Sequence, residues 1–169
     1  MNTSEKSQSV KLNFRKIQAS DNAVMAGIIR RALEEYGENK PGTVYTDPTT
    51  DDLFQLFQKE RSIYLLAEQE GKLLGGCGIY PTKGLPQGYA ELVKLYVSAE
   101  SRGVGIGKQL MERCINWASE NGYTHLYLES IPALNKAVVL YEALGFERIG
   151  NRLGESGHFA CDLWMVKTL

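Results

Sequence analysis

Residues 91–108 read ELVKLYVSAESRGVGIGK, and this stretch decides the fold of the chain. Its first half predicts a strand that ends at Val97, and its second half predicts a helix that opens after Gly103. The N-terminus of a helix exposes unpaired N–H groups and the positive end of its dipole. Glycines at the turn let a phosphate approach this backbone closely. The stretch therefore predicts an anion-binding loop at a strand-to-helix junction, best suited to a pyrophosphate.

Two other phosphate-binding loops fit these residues less well. A Walker A loop requires a leading glycine and a Ser or Thr after the lysine, but Arg102 and Gln109 occupy those positions. A dinucleotide-binding fingerprint requires a third glycine where Lys108 stands. Glu129, at the end of the next predicted strand, could still act as the ribose-binding carboxylate of such a site. Dinucleotide binding is therefore kept as an alternative.

Outward from this stretch, the apolar periodicity predicts an α/β fold of the α+β type. Strands are predicted at residues 10–17, 61–68, 72–80, 89–97, 124–129, 146–150 and 158–166. Helices are predicted after residue 21, near residue 53, after residue 103 and from residue 132. Strands 89–97 and 124–129 are joined by a helix, so they should run parallel. The short turns between the earlier strands predict antiparallel pairing, so the sheet should be mixed.

Length and composition exclude several classes of protein. The 169 residues suit a single domain, predicted here at 10–169 after a disordered start at 1–9. The formal net charge of -1 leaves no basic excess for nucleic acid. No apolar run approaches the roughly 18–20 residues that cross a bilayer. Residues 1–9 are polar and do not resemble a signal peptide, so we expect a soluble, cytoplasmic protein without membrane partners.

Cysteine and histidine usage argues against a metal centre. The cysteines, Cys77, Cys114 and Cys161, are far apart and form no Cys-x-x-Cys pair. This spacing opposes a disulfide framework and a thiolate zinc site. His125 and His158 are the only histidines. We therefore expect no metal.

Two motifs resemble those of the GNAT-type N-acetyltransferase superfamily. Arg102-x-x-Gly105-x-Gly107 matches its Q/R-x-x-G-x-G/A signature, and residues 140–146, LYEALGF, resemble its usual L-Y-E-x-L-G-F. The resemblance runs from about Ala90 to Phe146. It implies a GNAT fold with about 6–7 strands, about four helices and a splayed parallel strand pair at the cofactor site. It also implies direct transfer of an acetyl group from acetyl-CoA to an amine, without a metal.

The resemblance also implies roles for individual residues. Tyr141 matches the tyrosine that contacts the cofactor and protonates the leaving CoA thiolate. Leu134 stands where many relatives have an asparagine, and Asn135 is displaced by one position, so the asparagine role is not carried over. The remaining cofactor contacts are backbone groups of the pantetheine-binding and pyrophosphate-binding segments, namely Leu95, Tyr96 and Val97, and Arg102, Gly103, Val104, Gly105, Ile106, Gly107 and Lys108.

Glu91 is the candidate general base, at a place where some superfamily members have a catalytic glutamate. Strand alternation predicts that Glu91 shares one face with Val93, Leu95 and Val97. An acid among apolar neighbours should have a raised pKa, which suits a base. The alternatives are an exposed carboxylate paired with a lysine, or a water chain that performs the deprotonation.

His158 and Cys161 suggest a second chemical route. A Cys-His pair can form a covalent acyl intermediate. Three residues apart on a predicted strand, however, the two side chains should point to opposite faces. Cys161 among apolar neighbours is also typical of a buried structural thiol. An acetyl-cysteine intermediate is therefore kept only as an alternative.

The acceptor cannot be read from the residues. A small-molecule amine and a protein amine both fit the motifs. In the fold that the resemblance implies, the loops 41–47 and 79–87 would flank the acceptor. A non-catalytic acyl-CoA-binding module and a homodimer paired through the late strands also fit the sequence.

Overall fold

A seven-stranded sheet forms the centre of the molecule, described from a computed structural model over residues 11–169. The strand order is β1-β2-β3-β4-β5-β7-β6. The predicted disorder of residues 1–9 and the predicted strand start at Val10 lie outside the described residues. The strands are β1 Asn13–Lys16, β2 Ile63–Gln69, β3 Lys72–Tyr80, β4 Tyr89–Val97, β5 His125–Ser130, β6 Glu147–Ile149 and β7 Leu163–Thr168.

Strand pairing confirms the mixed, mostly antiparallel sheet. Neighbours from β1 to β4 pair antiparallel, and so do β5 with β7 and β6 with β7. Only β4 and β5 run parallel within the described chain. The helix between them makes the crossover that parallel pairing requires.

Four helices cover the two faces of the sheet: α1 Asn22–Glu35, α2 Leu53–Leu56, α3 Ile106–Glu120 and α4 Asn135–Ala143. The apolar faces of α3 and α4 pack on one side, and those of α1 and α2 pack on the other. Two apolar clusters therefore sandwich the sheet. None of the helices in residues 11–169 combines the length and the apolarity that a membrane span requires.

The parallel pair β4–β5 separates soon after it forms. Pairing runs only from Tyr89 opposite His125 to Glu91 opposite Tyr127, although both strands continue. Beyond this point β4 carries a bulge, because its register against β3 shifts, and Lys94 has a φ of 51°. A bulge bends its strand and increases the twist. The two strands therefore splay, as the resemblance implied, and leave a gap at the edge of the pairing.

The last strand begins later than predicted. β7 starts at Leu163, not at residue 158, and continues to Thr168. The preceding residues form a loop, in which Gly154 and Gly157 adopt positive φ values of 70° and 81°. Such conformations break a strand ladder. His158 therefore lies in this loop, where strand alternation does not determine its direction.

Candidate active site

A cleft of about 300 Å³ opens between the end of β4 and α4. We call it the donor cleft; it is lined by the end of β4, the glycine loop, the start of α3 and one face of α4. Two predicted cofactor residues lie outside this lining: Val104, which is 71% exposed, and Tyr141. The other predicted residues all line it, namely Leu95, Tyr96, Val97, Arg102, Gly103, Gly105, Ile106, Gly107 and Lys108.

The glycine loop presents backbone amides at the mouth of α3. Gly103 and Gly105 have φ values of 83° and 81°, a conformation that glycine adopts without strain. The hydrogen bond from Gln109 N–H to Gly105 O, 3.1 Å long, begins the helix. The N–H groups of the first turn, which precede Gln109, have no carbonyl partner within the helix. They are available to an anion, as the sequence predicted.

Arg102 fastens the loop to its surroundings. Its Nε donates to the Val97 carbonyl at 3.0 Å, and its Nη1 pairs with Glu35 at 2.7 Å. Lys108 lies 3.9 Å from Glu112, one turn along α3. The positive charge expected beside the loop is therefore shared with two carboxylates, and the unpaired loop amides are the groups most available to an anion.

A second, smaller cavity of about 60 Å³ adjoins the donor cleft. We call it the acceptor cavity. The two share Leu95, Tyr96 and Leu134 in their linings. Among the residues that line only the acceptor cavity are Glu91 and Tyr141, the two predicted catalytic residues. The structure therefore brings both of them together beside the end of the donor cleft.

The prediction that Glu91, Val93, Leu95 and Val97 share one face of β4 is wrong beyond Val93. Leu95 and Val97 pack in the apolar cluster under α3, whereas Val93 and Tyr96 pack in the cluster under α1. The bulge at Lys94 adds one residue, and one extra residue reverses strand alternation.

Glu91 is a buried acid with a perturbed pKa. The residue is 3% exposed, which rules out the alternative of an exposed strand-end carboxylate. Burial raises the pKa of Glu91 to about 7, and the negative charge of Glu129 acts in the same direction. The hydroxyl of Thr82 donates a hydrogen bond to Glu91 Oε2, which partly offsets this rise. Such a group is ready to exchange a proton near neutral pH.

Tyr141 lies on the inner face of α4 and is 6% exposed. Its ring packs edge-on against Phe146, with 6.2 Å between the ring centroids. Burial raises the pKa of Tyr141 above its usual range, so the phenol stays protonated. It can donate a hydrogen bond in the acceptor cavity, beside the shared wall of the donor cleft.

Asp47 was not found by the sequence analysis as a site residue. Its Oδ2 lies 2.7 Å from His158 Nε2 and 3.3 Å from Lys94 Nζ. Burial acts to raise the pKa of Asp47, but the hydrogen bond to His158 and the charge of Lys94 hold it well below its usual range. These residues are far apart in sequence, and no spacing rule connects them. Asp47 therefore joins two loops and the bulge of β4 at the acceptor cavity.

Glu129, kept in the sequence analysis only as a possible ribose-binding acid, also lines the acceptor cavity. Its side chain is 2% exposed, and Arg152 Nε lies 3.5 Å from its Oε2. Burial raises the pKa of Glu129, whereas neighbouring Ser156, Arg152 and Trp164 act to lower it. The acceptor cavity therefore holds two buried carboxylates, Glu91 and Glu129.

Cys161 and His158 both line the acceptor cavity, so the expected opposite orientation is wrong. The His158 ring, however, is bonded to Asp47. Burial raises the pKa of Cys161 to about 12, which disfavours the thiolate that a nucleophile requires. The geometry therefore favours a structural thiol. Residues 11–169 include no group of three or more acidic, histidine or cysteine side chains arranged to hold a metal ion.

The sequence of this chain is similar to those of known acetyltransferases. Residues 29–146 match the model of the Acetyltransferase (GNAT) family. The uncharacterized N-acetyltransferase YjgM of Escherichia coli (strain K12) is 36% identical over 157 residues, which cover 92% of this chain and 94% of that protein.

Solved structures show the same fold. An acetyltransferase of the GNAT family from Staphylococcus aureus Mu50 superposes with a TM-score of 0.81 at 18% identity, covering 94% of this chain and 99% of that one. A GNAT superfamily phosphinothricin acetyltransferase from Sinorhizobium meliloti, solved in complex with AcCoA, gives 0.74 at 22% identity and covers 94% and 88%.

Proposed function

The chain belongs to the GNAT acetyltransferase family, and we propose that it transfers the acetyl group of acetyl-CoA to an amine nitrogen by direct attack. One observation carries this proposal. The donor cleft and the acceptor cavity meet at Leu95, Tyr96 and Leu134, and the buried acid Glu91 lines the acceptor side of this junction. A nucleophile in the acceptor cavity would thus face a thioester held in the donor cleft. This arrangement supplies proximity, the main requirement of a two-substrate transfer.

The donor cleft fits the chemistry of acetyl-CoA. The amides of the glycine loop would hold the pyrophosphate, because they point from the N-terminus of α3 with the positive end of its dipole. The apolar lining between Val97 and Leu140 suits the pantetheine arm. Backbone N–H groups at Leu95 to Val97, freed from β5 by the splay, would stabilise the thioester oxygen as it gains negative charge. The phosphinothricin acetyltransferase from Sinorhizobium meliloti, which shares this fold, was solved in complex with AcCoA, and this supports the assignment.

Glu91 supplies the base in the proposed reaction. An alkylammonium must lose a proton before its nitrogen can attack, and Glu91 takes that proton. The nitrogen then bonds to the thioester carbon, and the carbon–sulfur bond breaks. The nitrogen then loses a second proton, and the CoA sulfur gains one proton to become a thiol. The products are an amide, CoA thiol and one proton released to solvent.

Tyr141 assists the departure of sulfur. Its protonated phenol would donate a hydrogen bond to the CoA thiolate. Because its pKa is raised above that of a thiol, full proton transfer from Tyr141 is unfavourable without a compensating shift. Its contribution is therefore stabilisation of a fair leaving group, and its loss should slow the reaction without abolishing it.

The pH dependence of thiol release tests the role of Glu91. With acetyl-CoA and a panel of amines, wild-type kcat/KM should rise with pH and level off above an apparent pKa of about 7, because Glu91 accepts a proton only when ionised. We call this rise the limb of the pH profile. Glu91→Gln should lower kcat/KM by roughly 10²–10⁴-fold and remove this limb.

Thr82→Val provides the matched variant. It removes the hydrogen bond that lowers the pKa of Glu91, so the limb should move to higher pH with its plateau unchanged. A limb that persists in Glu91→Gln would contradict Glu91 as the base. Tight CoA binding without turnover on any amine would contradict the transferase and favour an acyl-CoA-binding module.

A further inference from the structure

Glu129 is a buried carboxylate that the proposed mechanism does not use. It lies near the end of β5, beside the splay, and lines the same cavity as Glu91. Both of its carboxylate oxygens are buried, and neither accepts a hydrogen bond of normal geometry within the part of the chain that the structure describes. A buried carboxylate without donors is costly, and native proteins rarely leave one so. A bound molecule that supplies N–H donors would remove this cost.

The neighbours of Glu129 do not supply these donors at normal hydrogen-bond geometry. Ser156 and Trp164 lie near enough to lower the pKa of Glu129, but the indole N–H of Trp164, like both Glu129 oxygens, makes no hydrogen bond among the described residues. Arg152 Nε, at 3.5 Å, is beyond hydrogen-bond geometry, and its Nη2 donates to the carbonyls of His158 and Cys161 at 3.1 and 2.9 Å. The hydroxyl of Ser130, the next residue along β5, is also buried without a partner among the described residues, and Ser130 lines the same cavity. The acceptor cavity therefore presents unfilled hydrogen-bond acceptors on the β5 side.

The charges around the acceptor cavity favour a cation. The ionisable groups on it or bonded to it are the carboxylates Asp47, Glu91 and Glu129 and the cations Lys94 and Arg152, with His158. When ionised, the three carboxylates carry one more charge than Lys94 and Arg152 together. In a small, poorly solvated space such an excess attracts a cation and repels an anion. An ammonium has N–H donors and no acceptor, which complements an unpartnered carboxylate.

We propose that Glu129 binds the acceptor as an ammonium cation, and that the acceptors are aliphatic amines without an anionic group near the reacting nitrogen. This inference rests on the proposed function, because it assigns the acceptor of that same transfer. Glu91 removes a proton from the bound nitrogen, whereas Glu129 keeps its negative charge and orients the N–H groups that remain. Glu129 is thus a specificity-determining residue, distinct from the base.

A matched series of four-carbon amines tests this inference in the wild-type protein. 1,4-Diaminobutane, 1-aminobutane and 4-aminobutanoate have similar length and amine basicity, but carry a positive, neutral or negative group at the far end. We expect kcat/KM to decrease in that order, with at least about a tenfold difference between the first and the last, because like charges in one site repel. Equal rates, or a preference for 4-aminobutanoate, would overturn the inference.

Glu129→Gln then identifies the residue responsible. The ratio of kcat/KM for the diamine to that for the aminobutanoate should collapse to within about threefold, mainly through KM for the amine. The affinity for acetyl-CoA should not change. Because the ratio compares two acceptors in one protein, it does not depend on the fraction that is folded. Glu155→Gln is the control: it removes the same charge from a side chain 65% exposed in the loop after β6, and should leave the ratio unchanged.

Two further variants separate binding from a structural role. If Glu129→Gln does not fold, Glu129→Asp keeps the charge and should keep the preference. Were Glu129 only an anchor for Arg152, then Glu129→Gln and Arg152→Gln would lower kcat/KM equally for all three amines, and the inference would fail. Failure of every amine to accept acetyl would refute the proposed function itself; transfer without charge preference would refute only the role of Glu129.

Discussion

Glu91 and Glu129 lie on neighbouring strands of the splayed pair, yet their surroundings suit them to different work. Glu91 accepts a hydrogen bond from Thr82, whereas neither oxygen of Glu129 accepts a hydrogen bond of normal geometry among residues 11–169. The negative charge of Glu129 raises the pKa of Glu91, and burial raises the pKa of both carboxyl groups. A cation between them would oppose both effects. The charge that would select the acceptor, on Glu129, thus also raises the pKa of the proposed base, Glu91.

At the glycine loop, one pair of substitutions isolates the effect of charge on the donor cleft. Gly105 lines the cleft with a φ of 81°, a conformation that Asn and Asp tolerate better than other residues do. A Cβ added there meets no heavy atom of the described residues within 4 Å. Gly105→Asp and Gly105→Asn should therefore fold alike. We expect the Asp variant to bind CoA at least about tenfold more weakly than the Asn variant, since its carboxylate would repel the pyrophosphate.

Isothermal titration with CoA measures this difference, and thermal melting verifies that both variants fold. The contrast between Asp and Asn should shrink at high salt, because screening weakens the repulsion. Equal affinities of the two variants at low salt would be evidence against phosphate binding at this loop.

At the scale of elements, β3 and β4 show why the splay forms here. Gly75 lies opposite Val97, and a Cβ on it would come within 2.4 Å of the Tyr96 carbonyl oxygen. A glycine is therefore required for β4 to approach β3 this closely beside its bulge. This close approach of β4 to β3 lies beside the point where β5 diverges, so the strand arrangement itself contributes to the gap between β4 and β5.

Two alanine substitutions of opposite expected sign test this account. Gly75→Ala should lower the free energy of unfolding by about 1–3 kcal/mol, because the added methyl group overlaps backbone atoms. Gly107→Ala is the control: its Cβ would lie 3.6 Å from Leu140, an ordinary contact, and alanine favours the helix. It should change stability by less than about 1 kcal/mol, in the stabilising direction. Urea unfolding measures both, and a neutral Gly75→Ala would contradict the close approach.

The elements could be predicted wherever a local pattern determines them. The limits of β3 and β4 were predicted to the residue because turn and loop residues bound them, and the glycine loop before α3 was predicted from its glycines. The bulge at Lys94 could not be predicted, because no glycine marks it and its φ of 51° depends on packing. The late start of β7 follows from hydrogen bonds of the preceding loop, such as Glu155 N–H to Lys83 O at 2.8 Å. Contacts between residues so distant in sequence leave no periodic signal.

At the scale of the whole molecule, two loops close over the acceptor cavity. The loop after α1 and the loop before β7 are joined by a backbone hydrogen bond from Ala160 to Gly42, 3.0 Å long. The Phe159 ring lies so close over Gly42 that a Cβ there would come within 2.5 Å of it. Asp47 and His158 connect the same two loops from inside. The acceptor cavity is therefore enclosed by segments that the sheet does not hold directly.

The carboxylate of Asp47 connects the two loops over the acceptor cavity to Lys94 of β4, so its removal should lower the stability of the folded chain. Lys94 is 4% exposed at its side chain, and Asp47 is its ion-pair partner. Asp47→Asn would leave a buried cation without its ion-pair partner, so we expect the free energy of unfolding at pH 7 to fall by about 3 kcal/mol. Adding Lys94→Met should recover most of this loss, because a methionine requires no counter-ion. A double-mutant cycle by urea unfolding measures the coupling.

The pH dependence has a definite sign. The pKa of Asp47 lies well below its unfolded value of 3.8, so its stabilising contribution is complete at neutral pH and decreases progressively as the pH falls below that value. The difference between wild type and Asp47→Asn should shrink accordingly. Asp51→Asn is the control, because Asp51 pairs with Arg30 while 63% exposed and should cost less than about 1 kcal/mol. If Asp47→Asn were no more harmful than Asp51→Asn, the closure would depend on the backbone contacts at Gly42 and not on this buried charge.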